Sequence, residues 1–267
     1  MDLLDDDYYA VALDTPGYGL SDKPKDGFVY SIADDALLVE HYVTEVLGLE
    51  SFAMLTHDKG NSVGLAFLDL YQGHADYEIT HHFITNGNVY LPLADLTLFQ
   101  TGLLDERIGP FLSRYVNGRL IARGLADGYF SVSRPDTVID AIATSIDHDD
   151  GGEVQHATIQ YLAERARFED GWLETLQASE IPTTFIWGLD DPVAPTRVAD
   201  YVWHEYLLDR DAPSWYWQLE QANHYLQNDQ PETIAVIVRA ALGAEVEISA
   251  VAAPAMSRSA QRLEEDR

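Results

Sequence analysis

The stretch Leu55–Gly64, "LTHDKGNSVG", holds two overlapping candidates for a catalytic turn between a strand and a helix. In the first, Asp58 stands between the small flanking residues Thr56 and Gly60. In the second, Ser62 is the central residue of a G-x-S-x-G pattern. The two alternatives imply different chemistry, because a carboxylate attacking a saturated carbon gives an alkyl ester, whereas a serine gives an acyl ester.

The position of the preceding strand favours Asp58. The apolar run Phe52–Leu55 ends shortly before it, and "SVGLAFLDLY" then predicts the helix that leaves the turn. For Ser62, the strand would have to end in residues 56–59, which are four polar residues where a buried strand is expected. We therefore expect Asp58 to be the nucleophile and Ser62 to be a small packing residue in the helix. The serine reading, an ester or lactone hydrolase, is the alternative.

Short apolar runs along the chain predict strands with helices between them. These runs are Tyr9–Asp14, Phe52–His57, His82–Thr85, Thr183–Gly188 and Ser214–Leu219. Between the first two, Ser31 is expected to cap a helix that ends at Gly48. Its expected apolar face consists of Ala36, Leu37, Val39, Val43, Val46 and Leu47. Alternation of strands and helices predicts an α/β fold with a mostly parallel sheet.

The alternation stops between residues 86 and 179, where apolar residues recur at helical spacing without a convincing strand. We expect residues 1–85 and 180–245 to form the α/β core and residues 86–179 to form an inserted helical cap. A last helix is expected after Glu232. Residues 246–267 are small, polar and poorly patterned, which predicts a disordered tail.

The chain is strongly acidic, with 45 acidic residues against 16 basic ones and a formal net charge of −29. Such a surface is expected of a protein from a salt-adapted organism, because about 1 M salt screens charges over roughly 3 Å. It also repels phosphate backbones and anionic membranes, so neither a nucleic acid nor a membrane is an expected partner.

Several kinds of chemistry have no support in the residues. The chain has no cysteine, which excludes disulfides and thiolate chemistry. No apolar run reaches the length of a membrane span and no signal-peptide pattern is visible, so we expect a cytoplasmic protein. No metal-ligand spacing, Walker motif or dinucleotide fingerprint occurs, so neither a metal nor a cofactor is expected.

An acid and a base are expected to follow the nucleophile in chain order. Asp190 and Asp191 come just after the strand at residues 183–188, and His224 comes just after the strand at 214–219. The order Asp58, Asp191, His224, with each residue after a predicted strand, suits a catalytic triad. We take Asp191 as the acid and Asp190 as a turn residue.

Four stretches together resemble the α/β-hydrolase superfamily, in the branch that contains haloalkane dehalogenases and epoxide hydrolases: "LDTPGYGLSDKP", "THDKGNSVGL", "WGLDDPVAP" and "NHYLQNDQPE". The inserted segment resembles the mesoderm-specific transcript-like members of that branch. The resemblance implies an α/β-hydrolase fold with an Asp nucleophile. It implies a small hydrophobic organic substrate and water as reactants, and it leaves the oligomeric state open.

The resemblance also implies roles for further residues. Asp58 would form an alkyl ester, which water activated by His224 and Asp191 would hydrolyse, and the backbone N–H of Lys59 would donate to the oxyanion. Tyr161 lies close to where an epoxide hydrolase carries a cap tyrosine that activates the epoxide oxygen. The weaker candidates for a second such tyrosine are Tyr90, Tyr115 and Tyr129. His57 and Asn88 are candidate pocket residues, for which structural roles are equally compatible.

Two departures from the branch bear on the function. Haloalkane dehalogenases usually place a tryptophan after the nucleophile to hold the halide, and this chain has Lys59, a flexible ammonium. The chain also begins near the family's fourth strand, so the first strands and the loop that donates a second oxyanion N–H are expected to be missing. We therefore expect an epoxide or haloalkane hydrolase, with epoxide ahead. A catalytically impaired binding protein is a further alternative.

Overall fold

The computed structural model describes residues 2–72, 76–244 and 253–265. Its centre is a five-stranded sheet in the order β1-β2-β3-β4-β5, in which the first four strands are parallel and β5 runs antiparallel to β4. The strands are β1 (Ser51–Thr56), β2 (Glu78–Thr85), β3 (Thr183–Gly188), β4 (Ser214–Leu219) and β5 (Ala255–Met256). Four of the five predicted strands are therefore confirmed, with β2 longer than expected.

Helices connect the strands and cover the sheet. The helices before β3 are α1 (Ile32–His41), α2 (Lys59–Tyr71), α3 (Leu98–Leu104), α4 (Gly109–Ser113), α5 (Gly118–Gly128), α6 (Asp136–Asp147), α7 (Gln155–Thr158) and α8 (Tyr161–Ala178). Those after it are α9 (Thr196–Val202), α10 (Leu226–Asp229), α11 (Pro231–Ala241) and α12 (Arg258–Glu265). Short 3-10 or π-helical segments occupy Tyr42–Val46, Leu91–Leu93, His148–Val154 and Trp203–Leu207. No helix in the described ranges is long and apolar enough to cross a bilayer.

Apolar side chains cover both faces of the sheet. In β3, Phe185 and Trp187 belong to one core cluster and Ile186 to another, because successive side chains point to opposite faces. The first cluster includes residues of α1, α2, α8 and α9, and the second includes residues of α11. Strands buried on both faces explain the near-continuous apolar runs in the sequence.

The helix predicted before β1 is confirmed in its start and partly in its apolar face. The hydroxyl of Ser31 accepts from the backbone N–H groups of residues 33 and 34. The chain turns at Gly48 with a φ of +61°. Leu37 and Val46 were expected on the buried face, but they are 49% and 59% exposed. The turn Tyr42–Val46 is π-helical, so the 3.6-residue spacing used for the prediction does not hold at its end.

The strand predicted at Tyr9–Asp14 is wrong. This segment has no strand conformation, and Tyr9 and Val11 are 80% and 40% exposed. A strand needs a neighbour to complete its backbone hydrogen bonds, and no strand in the described ranges pairs with this segment. It therefore runs along the surface, and β1 is the terminal strand of the sheet.

The segment between β2 and β3 is helical wherever it has regular structure, as its periodicity indicates. The helices α5 and α6 pack on each other around the small cluster Ala122, Ile139 and Ala143. In contrast, α8 packs against α2, and its Leu162 and Leu173 are part of the main core. The division into a core and a cap at residues 86–179 stays a prediction, and α8 is the part of that segment that joins the sheet layer.

The prediction of a disordered tail over residues 246–267 is wrong for residues 255–265. Residues 255 and 256 pair with β4, and α12 follows. The hydroxyl of Ser257 accepts from the backbone N–H of Ser214, and Ser259 is buried. The hydrogen bonds of these small polar side chains, together with the burial of Ala260, hold the segment in place, and composition does not reveal them. Residues 246–252, 266 and 267 lie outside the described residues.

Candidate active site

The turn between β1 and α2 holds Asp58 in a strained backbone conformation, with φ +49° and ψ −116°. Two hydrogen bonds fix it: the Asp58 N–H donates to the carbonyl of Asn86 at 2.9 Å, and the Gly60 N–H donates to the carbonyl of His57 at 2.8 Å. Gly87 faces the turn so closely that a Cβ there would lie 2.7 Å from the Asp58 Cα. Strain of about 1–3 kcal/mol in a non-glycine residue is typical of functional turns.

The carboxylate of Asp58 remains accessible, with 36% of its side chain exposed. Its Oδ1 accepts a hydrogen bond from the Tyr161 hydroxyl at 3.1 Å, and its Oδ2 lies 3.6 Å from the Nε2 of His224. Burial raises the pKa of Asp58, but the hydrogen bond and charge of His224 outweigh this effect and lower the pKa to about 2. The carboxylate is therefore ionised at neutral pH.

Asp191 binds the other side of the His224 ring. Its Oδ2 accepts from the Nδ1 of His224 at 2.8 Å, and its Oδ1 accepts from the backbone N–H groups of Val193 and Ala194 at 2.8 and 3.0 Å. Its side chain is fully buried. The predicted preference for Asp191 over Asp190 agrees with this geometry, since the Asp190 carboxylate instead accepts from the hydroxyl of Ser131 at 3.0 Å.

His224 lies between two carboxylates, and this sets its charge. Burial lowers the pKa of His224, but the hydrogen bonds to Asp191 and Asp58 and the charges of both residues raise it to about 10. The imidazole is thus protonated at neutral pH while Asp58 is free. Loss of the charge on Asp58 would remove one of the two anions that hold this proton.

Tyr161, at the start of α8, is buried against Asp58. Burial and the Asp58 charge raise the pKa of Tyr161 well above its ordinary value. Its hydroxyl is therefore protonated and can donate a hydrogen bond at neutral pH.

His57 supports His224 rather than Asp58. Its Nε2 lies 2.8 Å from the carbonyl oxygen of His224, and because a carbonyl only accepts, this nitrogen carries a proton. Burial and the charge of His224 lower the pKa of His57 to about 4, so its ring is neutral at pH 7. The structure thus places His57 beside the candidate triad, in contact with the backbone of its histidine.

Lys59 has its side chain directed to α1. The ammonium forms an ion pair with Asp35 at 2.6 Å and lies 4.2 Å from the centre of the Tyr18 ring. The ammonium is thus already neutralised by a carboxylate. The Lys59 backbone N–H, at the first position of α2, makes no hydrogen bond within residues 2–72, 76–244 and 253–265, so it is free to meet an oxyanion.

The remaining candidates lie in different environments. Asn88 is 2% exposed, and neither polar atom of its side chain has a hydrogen-bond partner in the described ranges. Of the weaker tyrosines, Tyr129 has its ring edge-on to His224 at 5.9 Å, whereas Tyr115 is 71% exposed and Tyr90 stacks on another tyrosine. Only Tyr129 of these three contacts the candidate triad.

Ser62 lies inside α2 and is fully buried. Its hydroxyl oxygen accepts from the Nε of Arg165 at 2.7 Å. This is the packing position expected for the residue if Asp58 occupies the turn.

Two residues close to the candidate site were not singled out from the sequence. Tyr18, in the loop before α1, donates to the carbonyl of Thr158 at 3.4 Å and lies beneath the Lys59 ammonium. Asn86, directly after β2, contacts both the Asp58 turn and Asp191. The signal for Asn86 was available, because polar residues at the carboxyl ends of adjacent parallel strands meet at the same edge of the sheet.

Comparison with known proteins gives relatives of similar sequence. The chain is 35% identical over 192 residues to LipZ of Mycobacterium tuberculosis, which matches 70% of this chain and 65% of that protein. It is 31% identical over 191 residues to the human mesoderm-specific transcript homolog protein, which matches 69% of this chain and 56% of the relative. The chain thus spans somewhat more than half of the length of these relatives. No family model matches it.

Solved structures show the same fold at low identity. An epoxide hydrolase from Bacillus megaterium superposes with a TM-score of 0.65 and 21% identity, over 90% of this chain and 86% of that one. An esterase from Exiguobacterium antarcticum gives a TM-score of 0.60 and 17% identity, over 86% and 80% of the two chains. The chain therefore has the α/β-hydrolase fold, with a helical segment between β2 and β3.

The sequence relatives and the solved structures agree with the resemblance that the motifs indicated. The chain has the α/β-hydrolase fold and is similar in sequence to LipZ and to the mesoderm-specific transcript proteins.

Proposed function

We propose that this protein is a hydrolase that works through an alkyl ester on Asp58, and that its substrate is an epoxide. The observation that carries the proposal is the contact between the Tyr161 hydroxyl and the Asp58 carboxylate at 3.1 Å. A proton donor beside a carboxylate nucleophile suits the opening of an epoxide, because the ring oxygen needs a proton as the carbon is attacked.

In the first step, a carboxylate oxygen of Asp58 bonds to an epoxide carbon and the carbon–oxygen bond of the ring breaks. The freed oxygen takes the proton of Tyr161, which recovers one from solvent. The raised pKa of Tyr161 makes its anion basic, so this proton returns readily. The product is an ester between Asp58 and the alkyl chain, and the charge of Asp58 is lost.

In the second step, His224 acts as the base. Because the ester has no charge, the pKa of His224 falls from its value of about 10 in the free protein and the ring gives its proton to solvent. The neutral Nε2 then removes a proton from water, whose oxygen attacks the carbonyl carbon of Asp58. The Lys59 backbone N–H stabilises the oxyanion. When the intermediate collapses, the bond to the alkyl oxygen breaks, and that oxygen takes the proton from His224 and leaves as the diol. The Asp58 carboxyl group then gives its proton to His224, which restores the carboxylate and the imidazolium.

The rival chemistries have less support. A haloalkane dehalogenase needs donors for the departing halide, and the ammonium of Lys59 is paired with Asp35 at 2.6 Å. A serine esterase needs an accessible hydroxyl, and Ser62 is fully buried beneath Arg165. A pure binding protein would have no need for a strained Asp58 turn. LipZ is classed by its name with hydrolases, which agrees with the proposed reaction class.

The test is isotope transfer in ¹⁸O-water. We would incubate the chain in multimolar salt and in dilute buffer, with styrene oxide and separately with 1-bromobutane, and follow the products and the mass of the peptide containing Asp58. We expect diol and ¹⁸O in the Asp58 carboxylate after multiple turnovers. Ser62→Ala is the matched control, and it should label as the wild-type chain does.

The other outcomes decide against the proposal in different ways. Alcohol from 1-bromobutane without diol would make the protein a dehalogenase. An adduct on Ser62 would establish the serine mechanism. Binding of styrene oxide without product or label, under both salt conditions, would favour a binding protein.

A further inference from the structure

Asn86 lies at the point where the carboxyl end of β2 meets the turns after β1 and β3. It is fully buried. Its backbone carbonyl accepts from the Asp58 N–H at 2.9 Å, and this bond helps to fix the strained turn. One residue is thus in direct contact with the backbone of the nucleophile.

The side chain of Asn86 binds the neighbouring turn. Its Oδ1 accepts from the Gly188 N–H at 2.7 Å, and its Nδ2 donates to the Gly188 carbonyl at 3.1 Å. The same Nδ2 donates to the Oδ2 of Asp191 at 2.9 Å. Both polar atoms of the amide are therefore used, and an amide is the side chain that can donate and accept in this way.

The contact with Asp191 falls on the oxygen that also binds His224. The Oδ2 of Asp191 accepts one hydrogen bond from the Nδ2 of Asn86 and one from the Nδ1 of His224 at 2.8 Å. The carboxylate is thereby held in one rotation, with its remaining oxygen bonded to backbone N–H groups. Donation by Asn86 also helps to keep Asp191 ionised, since a hydrogen bond to the charged form favours it.

We infer that Asn86 is a positioning residue that connects the nucleophile turn to the acid and acts on catalysis through Asp191 and His224. This inference rests on the function proposed above. Changes to the Asn86 side chain leave its backbone bond to Asp58 in place, so they should affect the two half-reactions unequally. Formation of the ester on Asp58 should be retained, whereas hydrolysis of the ester, which needs His224 and Asp191, should slow.

Two variants and a matched control test this inference. Asn86→Asp has nearly the same shape and keeps an acceptor for Gly188, but it loses the donor to Asp191. Asn86→Ala removes the whole amide. Asn61→Ala is the control, because Asn61 is also fully buried and also donates to a strand-end carbonyl, that of Thr85 at 2.7 Å, but has no bond to Asp191.

The first measurement is single-turnover kinetics with styrene oxide, in which the ester on Asp58 is followed by mass spectrometry. Both Asn86 variants should hydrolyse the ester about 10- to 100-fold more slowly, in line with the loss of one hydrogen bond to a buried charged group. Ester formation should change far less. Asn61→Ala should hydrolyse the ester at a rate close to that of the wild-type chain.

The second measurement does not need turnover. The proton between His224 and Asp191 should give a far-downfield NMR resonance, and we expect it to shift in Asn86→Asp and to stay in place in Asn61→Ala. If the wild-type chain forms no ester, the proposed function fails while this resonance still tests the contact with Asn86. An unchanged resonance and an unchanged rate of hydrolysis in Asn86→Asp would overturn the inference, as would equal changes in Asn61→Ala.

Discussion

The turns after β1 and β3 each bring a carboxylate to His224, and the surroundings of the two carboxylates differ. Asp58 is 36% exposed and has a strained backbone, and its carboxylate interacts with the Tyr161 hydroxyl at 3.1 Å and the His224 Nε2 at 3.6 Å. Asp191 is fully buried, and four donors surround it. A nucleophile needs a free lone pair directed at the substrate, whereas an orienting acid needs a fixed geometry. The surroundings of each carboxylate, rather than the residue type, therefore support different roles for the two.

The largest effect on activity is expected from removal of the Asp58 carboxylate, the more exposed of the two. Asp58→Ala should lower the rate of diol formation by at least about 10⁴-fold, because no ester can form. The measurement is product formation under saturating substrate, with circular dichroism to establish that the variant folds. Retention of a tenth of the activity would assign nucleophilic attack to another group.

Removal of the charge on Asp191, the buried carboxylate, should have the next largest effect on activity. Asp191→Asn should slow turnover about 10³- to 10⁴-fold, because the imidazole loses its orientation and the partner for its charge. Unlike Asp58→Ala, this variant should accumulate the ester on Asp58, which intact-protein mass spectrometry detects. If neither ester nor product formed, the two carboxylates would not have the separate roles given to them here.

Tyr161→Phe tests whether this tyrosine donates a proton to an epoxide that reacts with Asp58. It should slow epoxide opening about 10²- to 10⁴-fold, since the ring oxygen loses its proton donor. The phenyl ring preserves packing at the start of α8, so the melting temperature serves as the control. An equal rate with styrene oxide would argue that Tyr161 packs against Asp58 without donating to substrate.

The smallest expected effect is a change in the pKa of His224. The Asp58→Asn variant has no charge at residue 58 and so resembles the ester. The pKa of His224, about 10 in the wild-type chain, should fall in this variant because one of its two anions is gone. NMR titration of the His224 ring measures this, and an unchanged midpoint would mean that Asp191 alone holds the proton.

The raised pKa of His224 also makes the stability of the folded protein decrease at high pH. A pKa raised from 6.5 to about 10 by folding stabilises the protein fully below pH 6.5, and this contribution is lost as the pH rises through 10. The wild-type chain should therefore lose more stability than Asp58→Asn between pH 7 and pH 10. Denaturant unfolding at the two pH values provides the comparison.

Local sequence patterns predicted much of the fold and the candidate site. The apolar runs predicted β1 to β4 and a parallel sheet, and Asp58, Asp191 and His224 each follow one of these strands. Their meeting at one edge follows from parallel topology, because all carboxyl ends lie on the same side of a sheet. In the structure, His224 lies 3.6 Å from Asp58 and 2.8 Å from Asp191.

Other features could not be predicted, because they depend on partners distant in the chain. Tyr9–Asp14 has the composition of a strand but no neighbour to pair with. The segment at residues 255–265 has the composition of a disordered tail, yet its first two residues pair with β4 and a helix follows. Asn86, in contrast, could have been singled out by its position directly after β2, but its hydrogen bonds to Asp58 and Asp191 are visible only in the structure.

The sequence by itself thus predicted the strands β1 to β4 and the candidate residues Asp58, Asp191 and His224 that follow three of them, because these depend on period, polarity and spacing within short windows. Only the tertiary structure decided that Lys59 pairs with Asp35, that Tyr161 reaches Asp58, and which carboxylate is open and which is enclosed. Those outcomes are set by distances between residues far apart in the chain. They are the quantities on which charge, proton donation and nucleophilicity depend.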